Sequence, residues 1–355
     1  TVDLGDGIPT QIVCGAANVA AGQHVVVATV GTKLYDGDKE FAIKKSKIRG
    51  VESFGMICAE DEIGVGTSHD GIIELPETVK PGTLAKDYYN VKDDYMFEVD
   101  LTPNRIDAAS HFGVARDLAA WMKAKGMQAD LHSPSVDAFH SDRADGAIPV
   151  EVECQEAAIR YAGLTIRGVK VAESPEWLRN YLTAIGQRPI NNVVDITNFI
   201  LNAYCQPLHC FDLAKVKGNK IVVRPAAEGS KFVTLDGVER TMTARDLMIC
   251  NAEEPMCIAG VFGGLESGVT EQTTDIFLES ACFHPTWVRK TARRQGLNTD
   301  ASFRFERGVD PNNVIYALKA AALLVKELAG GEICGEISDF YPAPVERPTV
   351  ELSLD

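Results

Sequence analysis

Asp310-Pro-Asn-Asn-Val-Ile-Tyr-Ala-Leu-Lys-Ala-Ala-Ala-Leu-Leu-Val-Lys-Glu-Leu-Ala-Gly-Gly331 is the stretch that decides the fold. Asp310-Pro311 reads as a helix opening, because proline is tolerated where the first N–H of a helix has no partner, and Gly330-Gly331 reads as its stop. Between them Ile315, Leu318, Ala322, Val325 and Ala329 fall on one face, so the spacing predicts a helix with one side in a core. Ser174-Pro-Glu-Trp177 opens a second helix that Gly186 ends. Lys220-Ile-Val-Val-Arg224 and Asp246-Leu-Met-Ile-Cys250 are apolar runs of strand length, and strands alternating with helices over 148–335 predict one large α+β unit.

Working outward, residues 131–147 carry Ser, Pro, Asp, His and Ala without periodicity and read as a linker. Residues 76–130 read as a small mixed α/β segment. It has a strand at Tyr95-Met-Phe-Glu-Val-Asp100, a turn at Thr102-Pro-Asn-Arg105, and a helix from Ser110 with apolar Phe112, Ala115, Leu118, Ala119 and Met122 that stops at Gly126. Residues 1–75 are short strands punctuated by glycine: Gln11–Cys14, Gln23–Ala28, Phe41–Ile43 and Gly55–Cys58. That texture predicts a small barrel. The fold class expected is thus α+β and multidomain, with 336–355 as a further linker and the start of another domain.

The chain has 355 residues, of which 45% are hydrophobic and 24% charged, a composition with apolar material for several cores. No apolar run approaches the roughly 18 residues of a membrane span, and Thr1–Gly7 lacks the basic start and apolar stretch of a signal peptide. A cytoplasmic location is the expectation. A net charge of −15 argues against a general electrostatic grip on nucleic acid, so any RNA contact must be local. The nine cysteines are scattered and form no C-x-x-C, which reads as reduced thiols. Cys205, His209 and Cys210 come nearest to a metal cluster but lack a fourth ligand, so no metal is expected.

Five features could carry chemistry. Lys44, Lys45, Lys47 and Arg49 are four cations within six residues; they are either a solvated strand face or a track for a nucleic-acid backbone. Glu279 follows Ile276-Phe-Leu278 and precedes Ser280-Ala281, an odd place for a carboxylate unless it is partnered. His209 stands in a loop-like Gln-Pro-Leu-His-Cys-Phe-Asp. Thr197 and Asn198 end an apolar run, where they either cap a strand end or orient a water or an ester. Gly260, with Gly263 and Gly264, either makes tight turns or leaves room for a ligand, and no Lys-Ser/Thr follows to make a phosphate loop. A Ser-His-Asp or Cys-His hydrolase is disfavoured, since there is no G-x-S-x-G and Cys210 is adjacent to His209 in the chain.

Ile48-Arg-Gly-Val-Glu-Ser-Phe-Gly-Met-Ile-Cys58 resembles a motif of the oligonucleotide-binding (OB) barrel found in several tRNA-handling proteins. Phe97-Glu-Val-Asp-Leu-Thr-Pro-Asn-Arg-Ile-Asp107 resembles the segment that follows this barrel in phenylalanyl-tRNA synthetase beta chains. Arg188–Phe199, Gln206–Asp212, Ile258–Gly264, Phe277–Ala281 and Asn298–Gly308 are similar, in order, to the editing domain of that family. The resemblance runs through the whole chain. It implies an OB-type barrel over 1–75 whose first strand lies upstream of Thr1, a connecting domain over 76–130, an editing domain over 148–335, and the start of the next family domain at Val350–Asp355.

The function implied is tRNA contact plus hydrolysis of tyrosyl-tRNA(Phe), with activation left to an alpha subunit in a heterotetramer of two alpha and two beta chains. An editing site is needed because an apolar pocket rejects an added hydroxyl only about a hundredfold. The resemblance makes Glu279 the contact to the tyrosine hydroxyl and Gly260 the gap for its ring. Thr299 and Ala301 would line the cavity, and Arg188 would hold the terminal adenosine or pair with an acid. His209, Thr197 and Asn198 would orient water or ester, without a covalent intermediate and with help from the terminal hydroxyl of the tRNA. Lys44, Lys45, Lys47 and Arg49 would contact tRNA. ATP and magnesium are implied for the complete enzyme and no cofactor for this chain. The competing expectations are an RNA-binding or assembly module without editing activity and a free-standing deacylase.

Overall fold

The computed structural model describes residues 1–37, 39–66, 68–91, 95–346 and 348–353. Leu354 and Asp355, the last residues of the stretch expected to begin another domain, lie outside them. The chain forms two compact units, Thr1–Tyr95 and Met96–Asp355.

In the first unit the strands pair two by two and antiparallel: Val2–Asp3 with Pro9–Thr10, His24–Val25 with Glu74–Leu75, and Val27–Thr29 with Gly55–Ile57. Two hairpins complete the set, Lys33–Asp36 with Lys39–Ala42 and Ser46–Ile48 with Val51–Ser53. Val26, Ala28, Leu34, Ile43 and Cys58 form one small core, and Ile12, Ile57 and Ile72 another. The strand expected at Gln11–Cys14 does not form; its contribution is one ladder-like bond, Phe54 N–H to Gln11 O at 2.9 Å. The basic run lies on and beside the second hairpin. Its two-residue turn is Arg49-Gly50, with φ of 49° and 88°, the left-handed pair that a tight hairpin turn requires.

In the second unit a four-stranded antiparallel sheet has the order Leu208–Asp212, Asp275–Phe283, Ala158–Arg167, Glu332–Phe340. A five-stranded sheet runs Val150–Val152, Ile221–Pro225, Leu247–Cys250, Pro255–Ile258, Phe262–Gly263, with its first pair parallel and the rest antiparallel. Helix Asn313–Ala329 is the element predicted from its sequence. The buried stripe is Val314, Ala317, Leu318, Ala321, Ala322, Val325 and Ala329, while Ile315 is only half-buried. The stripe of small alanines lets the helix lie close on the first sheet, where the hydroxyl of Ser280 donates to Val314 O at 2.9 Å. Helix Asn192–Tyr204 packs beside it, opened by Asn191, whose side chain accepts from the N–H groups of Val193 and Val194.

Strand residues alternate between faces. Leu278, Ser280 and Cys282 therefore turn to the helices, and Phe277, Glu279 and Ala281 turn to the opposite face. Gly163 sits directly opposite Glu279, and a Cβ there would lie 2.0 Å from the ring of Phe277. Only glycine fits under that ring.

Three expectations are corrected. Tyr95–Asp100 is not a strand, and Phe97, which a buried strand face would cover, stays 82% exposed. Thr197 and Asn198 lie inside helix Asn192–Tyr204 and not at a strand end. His209 is on strand Leu208–Asp212 and not in a loop. Residues 131–147, read as a linker, contain no helix or strand, yet their end is seated on the last strand. Asp142 N–H donates to Ile333 O at 2.9 Å, the Asp142 carboxylate takes Lys326 at 2.7 Å, and Arg143 bridges Cys334.

Candidate functional site

The site lies where the two sheets of the second unit meet. Strand register puts His209 directly across from Glu279 and Tyr161 across from Ala281, so His209, Glu279 and Tyr161 share one face. Tyr161 is fully buried and its hydroxyl donates to Oε2 of Glu279 at 2.8 Å. Glu279 is 5% exposed, and Oε1 takes no hydrogen bond among the described residues. From the second sheet Cys257 faces this pair. Gly263 closes on His209, with an ideal Cβ falling 3.2 Å from the imidazole Cε1. The His209 ring meets Phe211 edge-on with centroids 4.5 Å apart, and its Nε2 is buried without a hydrogen-bond partner among the described residues.

Burial sets the protonation of this group. The Glu279 carboxyl is pushed up to about 8 by loss of solvent, with the Tyr161 hydroxyl pulling the other way. His209 is pulled down to about 4 by the same loss of solvent. Near neutrality the site therefore holds an uncharged carboxylic acid and a neutral imidazole. Cys210 is no nucleophile: it alternates to the other face of the strand, and burial pushes its thiol well up.

Of the other candidates, Gly260 lies in the tight turn between Pro255–Ile258 and Phe262–Gly263, and Thr299 is bonded to it. Gly260 has φ of 68°, and a Cβ would meet Phe283 and Phe305 at 2.9 Å each and Val288 at 3.2 Å, so the face it presents is already filled by aromatic rings. Thr299 caps helix Asp300–Phe305 by accepting from Ser302 N–H, and its hydroxyl donates to Val261 O at 2.9 Å. Ala301, in the first turn of that helix, is half-buried against the core. Thr197 gives its hydroxyl to Val194 O at 2.7 Å within its own helix, and Asn198 is half-buried. Arg188 is exposed, next to Gln187, which bonds Asn202 and Asp300. The structure thus brings Glu279, His209 and the glycine turn together, ties Thr299 to that turn through Val261, and spends the hydroxyls of Thr197 and Thr299 on backbone.

Tyr161 was missed from sequence. It is 118 residues from Glu279 and joins it only through the pairing of two strands, which leaves no local signal. On the first unit, Lys45 pairs with Glu52 at 2.8 Å and lies 4.7 Å over the Phe54 ring, while Lys44, Lys47 and Arg49 are exposed without ion pairs among the described residues. Among the described residues no group of His, Cys, Asp or Glu is placed to hold a metal, and no helix is long and apolar enough to cross a membrane.

Residues 1–84 match the family described as "Putative tRNA binding domain" and residues 157–330 match the B3/4 domain family. A tRNA-binding domain and a B3/4 domain in one chain define a class of tRNA-handling translation protein. Over 355 residues the chain is 70% identical to the phenylalanine–tRNA ligase beta subunit of Bacteroides fragilis, covering 100% of this chain and 43% of that one. The corresponding subunit of Porphyromonas gingivalis is 62% identical over 356 residues, with 100% and 43% covered. That of Desulfotalea psychrophila is 48% identical over 341 residues, with 96% and 40% covered. The chain belongs to the phenylalanine–tRNA ligase beta-subunit family, and it spans less than half the length of these relatives. A solved N-terminal fragment of the phenylalanyl-tRNA synthetase beta subunit from Pyrococcus horikoshii is similar over 65% of this chain and 60% of that one, at 17% identity and a TM-score of 0.36.

Proposed function

We propose that this chain carries the tRNA-contacting and editing parts of a ligase beta subunit, and that it hydrolyses tyrosine wrongly esterified to tRNA(Phe). Residues 1–75 act as the OB-type barrel, 76–130 as a connecting domain and 148–335 as the editing domain. Activation of phenylalanine with ATP and magnesium falls to an alpha subunit, in a cytoplasmic assembly of two alpha and two beta chains.

The observation that carries the reading is Glu279: a buried acid with one oxygen bonded and, among the described residues, the other without a donor and the neighbouring His209 Nε2 unpaired. A phenolic hydroxyl is the group that tyrosine has and phenylalanine lacks, and the open oxygen of Glu279 is suited to bond it. His209, neutral at working pH, can hold a water for attack on the ester. Thr197 and Asn198, with Gly260, Thr299, Ala301 and Arg188, are the further residues of the proposed pocket. No side chain here is an activated nucleophile, so the water attacks directly.

The test is deacylation of preformed tyrosyl-tRNA(Phe) by the full-length subunit in its assembled ligase. Glu279→Ala removes a hydrogen bond between an uncharged carboxyl and the phenol and should slow hydrolysis about 2- to 13-fold while phenylalanine activation persists. A folded variant that deacylates at the parental rate sinks the reading. The second reading, an RNA-binding or assembly module, draws on the spent hydroxyls of Thr197 and Thr299 and the filled face of Gly260; on that reading the parental protein does not deacylate at all.

A further inference from the structure

Tyr161 is the only side chain bonded to Glu279 among the described residues. Its position is over-determined. The ring is fully buried, it tilts against Phe283 with centroids 6.4 Å apart, and its strand lies between two neighbours, pairing with Asp275–Phe283 on one side and Glu332–Phe340 on the other. A hydroxyl delivered from so rigid a strand fixes the carboxyl it meets. It meets Oε2, and Oε1 is left without a donor among the described residues.

We infer that Tyr161 is a specificity-positioning residue, whose hydroxyl holds one oxygen of Glu279 and so presents the other to a phenolic ligand. The inference rests on the editing reading and deepens it. The arrangement is a carboxyl between two phenols, one built into the central strand and one arriving with the substrate. Without Tyr161 the Glu279 side chain would turn freely and satisfy itself elsewhere, and a phenylalanine ester, with no hydroxyl to offer, would lose nothing by that.

The titratable groups that face Glu279 are Tyr161 from its own sheet partner, His209 from the other neighbouring strand, and Cys257 from the second sheet. Tyr161 is the one that lowers the Glu279 carboxyl against the effect of burial. Its removal should therefore move any titration of tyrosine preference to higher pH. A residue that merely fills space would leave that titration where it is.

The experiment compares kcat/KM for tyrosyl-tRNA(Phe) and phenylalanyl-tRNA(Phe) deacylation, from pH 6 to 9, in the assembled full-length ligase. The parental protein comes first: if it does not deacylate tyrosyl-tRNA, the functional reading fails and not this inference. Where it does, Tyr161→Phe should lower the tyrosine-over-phenylalanine ratio about 3- to 10-fold, through KM, one hydrogen bond being removed at second remove. The pH midpoint of the ratio should rise. An unchanged ratio and midpoint, or equal slowing of both substrates, overturns the inference. Should Tyr161→Phe not fold, Glu279→Gln carries the test. There the Tyr161 hydroxyl turns the amide oxygen to itself and leaves the –NH2 for the ligand, as the protonated acid leaves its O–H, so tyrosine preference should stay at the parental low-pH level and lose its pH dependence. A Glu279→Gln protein that keeps the parental pH dependence, or that loses the preference as completely as Glu279→Ala, equally overturns the inference.

Discussion

The buried Glu279–His209 pair makes a quantitative statement about stability against pH. Glu279 is raised from its ordinary 4.5 to about 8, so between those values the folded protein holds a proton that the unfolded chain has released. Its stabilisation is complete below 4.5 and is lost as pH rises through 8, at about 1.4 kcal/mol per pH unit. His209 is depressed from 6.5 to about 4, so its contribution is present above 6.5 and is lost as pH falls through 4. From 4.5 to 6.5 the two slopes cancel, and from 6.5 to 8 Glu279 acts alone, costing about 2 kcal/mol. Glu279→Gln removes one slope and leaves the other. Groups common to both proteins drop out of the comparison, so between pH 5 and pH 8 the variant should gain about 4 kcal/mol relative to the parent. Urea unfolding at pH 5, 6, 7 and 8 reads this directly. A constant difference across that range would show that Glu279 is not an acid held protonated by burial, and the account of the site would go with it.

Gly163→Ala should destabilise the protein by about 2 kcal/mol, since the methyl would overlap the buried Phe277 ring and overpacking costs about 1 to 3 kcal/mol against the small gain from stiffening a glycine; thermal unfolding checks it, and an unchanged or raised Tm refutes it. Replacing Lys44, Lys47 and Arg49 together with alanine should flatten the slope of log affinity for tRNA(Phe) against log salt by about 2 units, with Lys45→Ala, already paired to Glu52, changing it least; filter binding from low to high salt measures it, and an unchanged slope returns these residues to a solvated face.

What was legible in the sequence was legible because a local rule fixed it. Asp310-Pro311 and Gly330-Gly331 bracket helix Asn313–Ala329, and Ser110 opens His111–Ala124 by accepting from Gly113 N–H. Glu279 stood out because a charge inside an apolar strand demands a partner, but the partner could not be named, since only register joins Ala158–Arg167 to Asp275–Phe283. Thr197 and Asn198 were misplaced because Val193-Val194 reads equally as strand or helix. Asn191, capping two N–H groups, was the overlooked signal that decides for helix. His209 looked like loop because Pro207 precedes it, although Leu208 to Asp212 pairs in full with the central strand.

The order of the four-stranded sheet also dictates when the site can exist during folding. Its inner strand Asp275–Phe283 is bordered by chain laid down far earlier, Ala158–Arg167 and Leu208–Asp212, and the opposite edge is closed by Glu332–Phe340. The bond of Tyr161 to Glu279 spans 118 residues, and closing such loops is what slows a fold. A growing chain that has emerged only to the end of helix Asn192–Tyr204 possesses Tyr161 but neither Glu279 nor the turn beside His209. The acid, its phenol and the imidazole can therefore come into register only after the inner strand has been made, long after both of the strands that border it.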